Sequence, residues 1–316
     1  MSHLERALEL AERGRGTTRP NPVVGAVLVR DGEIVGEGWH ERKGEPHAEA
    51  NALAAAGGDA RGATLYVTLE PCVSWGSTPP CAQAVIDAGV AKVVIGARDP
   101  NPAAAGGLDQ LRAAGVEVEV DDGELGLRAR RQIEAWLTWV TKGRPFVTYK
   151  AAMTVDGRLT LPGSRWVSGE ASRKLVHELR AASDAVAVGM GTVRADRPAL
   201  TAREVGAERQ PRRLAFGHSP LPEGVDLELL AGPLDQELAR LGQEGVQSLL
   251  LEGGPALATS FLRAGLIDKL LVFVAPVLAG AGPTLFDRLD EPVELVSFEC
   301  RPVGEDVLLT AYVNEP

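Results

Sequence analysis

The sequence predicts an α/β protein made of two successive α/β domains. Strand-like apolar segments alternate with amphipathic helical segments, which is typical of helices packed about a sheet. The length of 316 residues exceeds the roughly 100–200 residues of a single domain. A polar Gly/Pro stretch at 141–145 follows an amphipathic helix and marks a candidate boundary. We therefore expect one domain at residues 1–143 and another at residues 144–316.

The first half begins with a helix, because the apolar residues of segment 4–14 share one helical face. Two apolar runs flank the Asp31-Gly32 turn and predict a β-hairpin. A helix with Pro46 in its first turn and Gly57 past its end follows. The remaining predicted elements are a strand at 63–69, a helix at 81–89, a strand at 92–97, and a weaker helix and strand within 107–120.

The second half shows the same alternation. Strand patterns occur at 146–153, 185–191, 212–217, 248–254 and 269–278, and helical patterns occur around 170–182 and 255–265. The Pro/Gly-rich stretch 197–247 gives few further signals. Cys300 lies in an alternating apolar and polar tail, where we expect a thiol buried in the core.

Composition narrows the class of function. The net charge is −10 and no basic run is present, which disfavours duplex nucleic-acid binding. No apolar run approaches the roughly 20 residues of a membrane span, and the N-terminus has no apolar export segment. We expect a cytoplasmic protein that binds a small molecule, with no nucleic-acid or membrane partner. Three cysteines are too few for a disulfide framework, so metal ligation or burial is expected of them.

One histidine and two cysteines stand at predicted element ends. His47 precedes a helix, Cys72 follows a strand, and Cys81 opens a helix. One His and two Cys with an open fourth position is the ligand set of a catalytic zinc site. Glu49, two residues beyond His47, is placed to move protons. Zinc deaminases combine such residues as H-x-E and P-C-x-x-C, whereas eight residues separate the two cysteines here.

Two other interpretations of these residues remain open. One is a buried cysteine pair with a surface histidine. The other is a closed structural zinc site, for which His40 is the nearest candidate fourth ligand.

Longer motifs resemble the bifunctional deaminase/reductase family of riboflavin biosynthesis. The deaminase half is matched by TRPNPVVGAVLV (18–29), GEPHAEANAL (44–53), YVTLEPC (66–72) and GSTPPC (76–81). The reductase half is matched by YKAAMTVDGR (149–158), SRWVSGEASR (164–173), HELRAASDAVAVGMGTVRAD (177–196) and LEGGPALATSFLRAGLIDKLLVFVAP (251–276). The resemblance implies a cytidine-deaminase-like α/β/α domain followed by a dihydrofolate-reductase-like α/β domain.

The resemblance also implies roles in the deaminase half. His47, Cys72 and Cys81 would bind zinc, and Glu49 would move protons. Asn21 and His40 would help to seat the pyrimidine. The implied reaction is hydrolysis of the 2-amino group of a diaminopyrimidinone ribosylamine 5′-phosphate. The loop Val73-Ser74-Trp75-Gly76-Ser77 departs from the family pattern, because serines replace a histidine and a basic residue. We therefore expect substrate binding that is weaker or differently built.

The second half carries weaker signals of its own. It has no Rossmann fingerprint, but segments 188–192 and 252–255 join a strand end to glycines that could seat a dinucleotide phosphate. The resemblance implies hydride transfer from NADPH to C1′ of the ribose. Residues that would contact NADPH are Ala152, Trp166, Thr192, Asp196, Gly254, Pro255, Ala256, Leu257, Ala258, Thr259 and Ser260. Residues that would contact the substrate are Ser164, Arg180, Leu200, Arg203 and Glu252. His218 and Arg197 depart from the family pattern.

The leading hypothesis is thus a riboflavin-biosynthesis enzyme that uses Zn2+ and NADPH, acts on a small pyrimidine ribosylamine phosphate, and forms a homodimer or larger homo-oligomer. A second hypothesis is a nucleoside or RNA zinc deaminase with a C-terminal binding module. The acidic charge and the reductase motifs argue against it. A third is a non-catalytic chain with a structural zinc.

Overall fold

The computed structural model describes residues 2–75, 79–207 and 209–316. The chain divides into two compact units, one ending at Lys142 and the other running from Gly143 to Glu315. The sequence-based division between residues 143 and 144 differs from this one by a single residue.

The first unit is a mixed sheet covered by helices. Its strand order is β2-β1-β3-β4-β5, in which β1 is antiparallel to β2 and β3 while β3, β4 and β5 are parallel. The strands are β1 (Gly25–Arg30), β2 (Glu33–Trp39), β3 (Thr64–Leu69), β4 (Lys92–Ala97) and β5 (Glu117–Val120). The helices are α1 (His3–Glu12), α2 (Ala48–Ala56), α3 (Cys81–Asp87), α4 (Gly107–Ala113), α5 (Glu124–Gln132) and α6 (Glu134–Lys142).

Strand β1 explains the continuous apolar run in this part of the sequence. Ala26 and Leu28 join the apolar cluster that contains α2, whereas Val27 and Val29 pack with α1. A strand that is covered on both faces needs apolar side chains at every position. The first unit is therefore three layers deep at this strand.

Helix α2 lies directly against the backbone of β2. A Cβ atom on Gly36 would come within 2.3 Å of the Ala52 carbonyl oxygen, and one on Gly38 within 2.4 Å of the Ala48 carbonyl oxygen. Glycine at these two positions permits a close approach that any side chain would prevent. This contact sets the position of the N-terminus of α2, where His47 lies.

The second unit contains a larger sheet, of order β12-β13-β11-β6-β10-β7-β8-β9. The strands from β11 to β9 are parallel, and β13 and β12 are antiparallel additions at one edge. The strands are β6 (Phe146–Thr154), β7 (Ala185–Gly189), β8 (Arg212–Phe216), β9 (Glu228–Leu230), β10 (Ser248–Leu251), β11 (Lys269–Ala275), β12 (Ser297–Val303) and β13 (Asp306–Tyr312). The helices are α7 (Glu170–Ala182), α8 (Met190–Asp196), α9 (Leu234–Gln243) and α10 (Pro255–Arg263).

The α/β prediction is confirmed, and most predicted strands are present within two or three residues of their bounds. The sequence analysis missed β9 and α9, which lie in the Pro/Gly-rich stretch 197–247, and it missed β12 and β13. The prediction for Cys300 was wrong, because its thiol is exposed on the edge strand β12. Strand β12 is exposed along most of its length on both faces, so its alternation of apolar and polar residues does not bury Cys300.

Among the described residues, no helix has both the length and the apolar character that crossing a bilayer requires.

Candidate active sites

Three side chains that are distant in sequence meet beside the carboxyl end of β3. His47 is the N-cap residue of α2, Cys72 lies three residues past β3, and Cys81 is the first residue of α3. The Nδ1 atom of His47 lies 3.3 Å from Sγ of Cys81 and 3.6 Å from Sγ of Cys72. The three ligand atoms all lie within 4.8 Å of one another. The structure thus brings together the metal-ligand residues predicted from sequence.

The chemistry of this donor set fits zinc. Two thiol sulfurs and one imidazole nitrogen suit a borderline-soft cation. Within the part of the chain that the structure describes, no further His, Cys, Asp or Glu joins the group. Structural zinc sites normally have four protein ligands, so three ligands match a catalytic site with one open position.

The three ligands also influence one another's protonation. A hydrogen bond from Cys81, helped by His47, holds the pKa of Cys72 well below its usual range. That same bond and burial raise the pKa of Cys81, and the bond to Cys72 raises the pKa of His47. One sulfur is therefore stabilised as a thiolate by the proton of the other. A cation that binds both sulfurs would take over the role of that proton.

Glu49 lies in the first turn of α2 and is 3% exposed. Burial raises the pKa of its carboxyl to about 7, although the nearby His47 partly opposes this shift. A carboxyl that titrates near neutral pH can accept and release a proton within one reaction cycle.

Asn21 and His40 lie together next to His47. The Nε2 atom of His40 is 3.3 Å from Nδ2 of Asn21, and its Nδ1 atom is 3.2 Å from the carbonyl oxygen of Pro46. The ring of His40 packs edge-on against that of His47, with 5.2 Å between ring centroids. Burial lowers the pKa of His40. Both of its ring nitrogens are engaged, which argues against His40 as a fourth metal ligand.

The loop after Cys72 is described only in part. Trp75 is 78% exposed. Of the two serines at which the sequence departs from the family pattern, Ser74 is partly buried, whereas Ser77 lies outside the described residues, as does Gly76.

In the second unit, a buried charge cluster joins β6, α7 and the end of β10. Arg180 donates from Nε and Nη2 to the two carboxylate oxygens of Glu252, at 2.6 and 2.9 Å. The Nζ atom of Lys150 lies 3.7 Å from the same carboxylate. Burial opposes the charge on Glu252, but Lys150 and Arg180 lower its pKa overall, and burial lowers the pKa of Lys150.

The predicted substrate residues of segment 200–203 lie beside this cluster. The Nη1 atom of Arg180 donates to the Thr201 carbonyl oxygen at 3.2 Å. Leu200 has a φ of 53° and is 2% exposed, so its side chain belongs to the core and only its backbone could reach a substrate. Arg203 is exposed, and its Nη1 atom lies 3.4 Å from Oγ1 of Thr201. Ser164 is also exposed and bonds to the backbone of Trp166.

The predicted cofactor residues are spread over several elements. Thr192 of α8 lies next to the N-cap of α10, since its Oγ1 atom is 3.9 Å from where a Cβ on Gly254 would be. Trp166 is half exposed and lies under the guanidinium groups of Arg165 and Arg173. Other predicted residues have different surroundings: Ala152 lies in β6, Asp196 is exposed at the end of α8, Pro255 and Ala256 begin α10, and Ala258 and Thr259 are buried.

A cavity of about 410 Å3 opens at the carboxyl ends of β8 and β9. Its wall includes Leu257 and Ser260, two of the predicted cofactor residues, and also His218. The remaining wall comes from Phe216, Gly217, Leu230, Ala231, Gly232, Pro233 and Leu234. Sequence analysis did not identify the wall residues 230–234, because β9 was not predicted. A prediction that β8 and β9 end at the same edge of the sheet would have indicated a cavity there.

The metal-ligand group and the buried Glu49 beside it define the first unit as a zinc deaminase type of domain, and a second α/β unit follows it. Residues 1–97 match the family model of the cytidine and deoxycytidylate deaminase zinc-binding region, and residues 145–309 match that of the RibD C-terminal domain.

Full-length relatives are more specific. The riboflavin biosynthesis protein RibD of Aquifex aeolicus is 40% identical, over 98% of this chain and 97% of that protein. The Mycobacterium tuberculosis RibD is 43% identical, over 96% and 94%. The solved structure of Acinetobacter baumannii RibD has a TM-score of 0.83 at 36% identity and covers 98% of this chain and 97% of that one.

A structure from Thermotoga maritima, described as a diaminohydroxyphosphoribosylaminopyrimidine deaminase/5-amino-6-(5-phosphoribosylamino)uracil reductase, has a TM-score of 0.82 at 34% identity, over 98% of this chain and 97% of that one. The chain belongs to the RibD family. It is a bifunctional deaminase and reductase of riboflavin biosynthesis, with a zinc-binding deaminase domain and a reductase domain that uses a nicotinamide cofactor. The predictions of family, fold class and enzyme class are confirmed.

Proposed function

We propose that the first unit deaminates 2,5-diamino-6-ribosylamino-4(3H)-pyrimidinone 5′-phosphate, and that the second unit then reduces the ribosyl group to a ribityl chain with NADPH. The observation that carries the first step is the group of His47, Cys72 and Cys81 with the buried Glu49 beside it. The name of the Thermotoga maritima relative supports both substrates. The proposal assigns the deaminase to residues 1–143 and the reductase to residues 144–316, with support from the compactness of two units divided near this point.

In the first unit, His47, Cys72 and Cys81 hold zinc. When bound, zinc supplies a Lewis acid that makes a neighbouring water acidic enough to attack the pyrimidine near neutral pH. Glu49 accepts a proton from that water and passes it to the departing 2-amino nitrogen. Water and the amine thereby become a ring carbonyl and ammonia. The raised pKa of Glu49 suits both proton transfers.

In the second unit, the substrate lies against the charge cluster of β6, α7 and β10. The Nε and Nη2 atoms of Arg180 both donate to the carboxylate of Glu252. We therefore assign Arg180 to holding that carboxylate rather than to binding phosphate. Arg203 is the better phosphate ligand, since it is exposed and its guanidinium makes one long hydrogen bond, to Thr201, among the described residues. Lys150 and Glu252 then face the ribose, and Leu200 contributes its backbone. Ser164 also contacts the substrate.

The cofactor is NADPH, and it enters at the carboxyl ends of the parallel strands. Its phosphates lie at the N-terminus of α10, where Gly254 leaves backbone N–H groups open. The apolar cavity beside His218 has the size and lining to take the adenine. When bound, NADPH supplies the hydride for C1′, and the chain supplies alignment. Ala152, Trp166, Thr192 and Asp196 complete the proposed contacts.

The enzyme is proposed to work in the cytoplasm as a homodimer or larger homo-oligomer. Dependence on NADPH and on reduced cysteine ligands supports the location. Family resemblance supports the oligomer, which sedimentation velocity would test directly.

Two half-reactions measured on one chain test the proposal. Glu49→Ala should lower ammonia release by about 100-fold or more, as expected for loss of a positioned proton carrier. NADPH oxidation with deaminated substrate should be unchanged. The matched control is Glu45→Ala, since Glu45 is an exposed acid on the same segment. Normal ammonia release by Glu49→Ala would refute the deaminase assignment.

A second pair of variants tests the reductase site. Arg203→Ala should raise the KM for the deaminated phosphate by about 10-fold, because a charge-assisted bond is lost. Arg213→Ala is the control, since Arg213 pairs with Asp226 on the surface. Equal KM values for the two variants would remove Arg203 from the phosphate site. Comparing NADPH with NADH in the same assay tests the cofactor preference.

A further inference from the structure

We infer that His40 is a positioning residue: it fixes the side-chain amide of Asn21 so that Asn21 presents Oδ1 to the pyrimidine, and His40 itself makes no substrate contact. The inference rests on the proposed function for the identity of the substrate. It departs from the expectation that both residues seat the pyrimidine directly.

The carbonyl oxygen of Pro46 determines which tautomer His40 adopts. A carbonyl only accepts hydrogen bonds, so the Nδ1 atom of His40, 3.2 Å away, must carry a proton and donate it. The ring is 3% exposed and hydrogen-bonds to no carboxylate among the described residues, so it is held neutral. A neutral imidazole has a single N–H. Nε2 is therefore a bare acceptor.

This tautomer in turn fixes the amide of Asn21. The only group of Asn21 that can satisfy a bare Nε2 is its NH2, which lies 3.3 Å from that atom. The Oδ1 atom is left without a hydrogen-bond partner in the described part of the structure, and Asn21 is only half-buried. A carbonyl oxygen so placed recognises an N–H donor, of which an aminopyrimidine offers several.

His40 also connects this amide to the metal-ligand segment. Pro46 immediately precedes His47, and the rings of His40 and His47 are in edge-to-face contact. One buried imidazole thus sets the distance between the group that recognises the pyrimidine and the group that holds the metal. Both ring nitrogens are used inside the protein, which leaves His40 no atom with which to bind substrate.

The tautomer can be observed without any activity. Long-range 1H–15N spectra of the histidine-labelled chain, metal-free and zinc-loaded at neutral pH, should show His40 as the neutral Nδ1–H form. His40→Asn assigns the signal by its disappearance. A proton on Nε2, alone or together with Nδ1, would overturn the inference.

Kinetics then tests whether His40 acts through Asn21. His40→Asn keeps a donor for Pro46 but loses the acceptor for Asn21, and should raise the KM for deamination by about 10-fold, as loss of one oriented hydrogen bond would. Asn21→Ala should have a similar effect. The double variant should be no worse than Asn21→Ala, because the two residues form one unit. If the double variant instead raised the KM by the product of the two single effects, His40 would bind substrate independently of Asn21.

His40→Gln provides the rescue. Its Oε1 atom can replace Nε2 as the acceptor for Asn21, so its KM should stay within about threefold of the parent value. A KM as high as that of His40→Asn would contradict the positioning role. NADPH oxidation by the second unit reports folding in every variant. Absence of ammonia release from the parent enzyme would refute the proposed substrate but would leave the tautomer result intact.

Discussion

Replacing Gly38 by alanine should disable the deaminase through the position of α2 alone. Gly38 itself has no role in the proposed reaction. A Cβ atom at this position would lie 2.4 Å from both the carbonyl oxygen of Ala48 and the amide nitrogen of Ala52. Both neighbours are helix backbone, which cannot rotate away as a side chain could. The strand and the helix must therefore separate.

The size of the displacement follows from that distance. Restoring ordinary van der Waals separation requires roughly 1 Å of movement. Overpacking of this kind costs about 1–3 kcal/mol of stability. Misplacing a catalytic group by about 1 Å can cost on the order of 100-fold in rate. Since α2 carries Glu49 and is capped by His47, we expect ammonia release to fall by about 10- to 100-fold.

The assay compares both half-reactions of Gly38→Ala with those of Gly58→Ala. Gly58 follows the same helix and has open space around its Cβ position with no unusual backbone angle, so alanine there should be neutral. Ammonia release and zinc affinity, measured by competition with a chelator, should both fall in Gly38→Ala, while NADPH oxidation persists. Ammonia release within twofold of the parent, in a chain of unchanged zinc affinity, would show that the close contact does not position the site.

Three further outcomes are expected. Stripping zinc with a chelator should stop ammonia release but leave NADPH oxidation, because the proposed ligands all belong to the first unit; loss of both activities would contradict separate sites. Burial raises the pKa of Asp99 to about 6 from 3.8, so the folded state binds the extra proton and stability should fall as the pH rises from about 4 to about 6. Asp99→Asn should abolish this pH dependence, which amounts to at most about 3 kcal/mol of unfolding free energy measured with urea. An unchanged pH dependence would refute its assignment to Asp99. Arg144→Met should destabilise the second unit by about 3–5 kcal/mol, because it takes the guanidinium partner from the buried Asp268 carboxylate. Urea midpoints would measure this, and a loss under about 1 kcal/mol would mean that other contacts suffice.

The metal group could be predicted from sequence because each of its members is tied to an element end. His47 caps a helix, Cys72 follows a buried strand and Cys81 opens a helix, so local patterns locate all three. The chain's topology then places strand ends and helix starts at one edge of the sheet. The residue types then indicated which metal binds, since few cations prefer two sulfurs and an imidazole as ligands.

Pairings between distant residues could not be predicted in this way. The family resemblance implied that Arg180 contacts the substrate, but its Nε and Nη2 atoms already donate to the carboxylate of Glu252, 72 positions away. No local sequence pattern around either residue indicates this pairing, because it forms only when the fold brings Arg180 of α7 to the end of β10. The tautomer of His40 is equally non-local, since it depends on the carbonyl of Pro46 and the amide of Asn21. Sequence patterns therefore predicted which groups form the two sites, whereas the fold determines which of those groups remain available to a substrate.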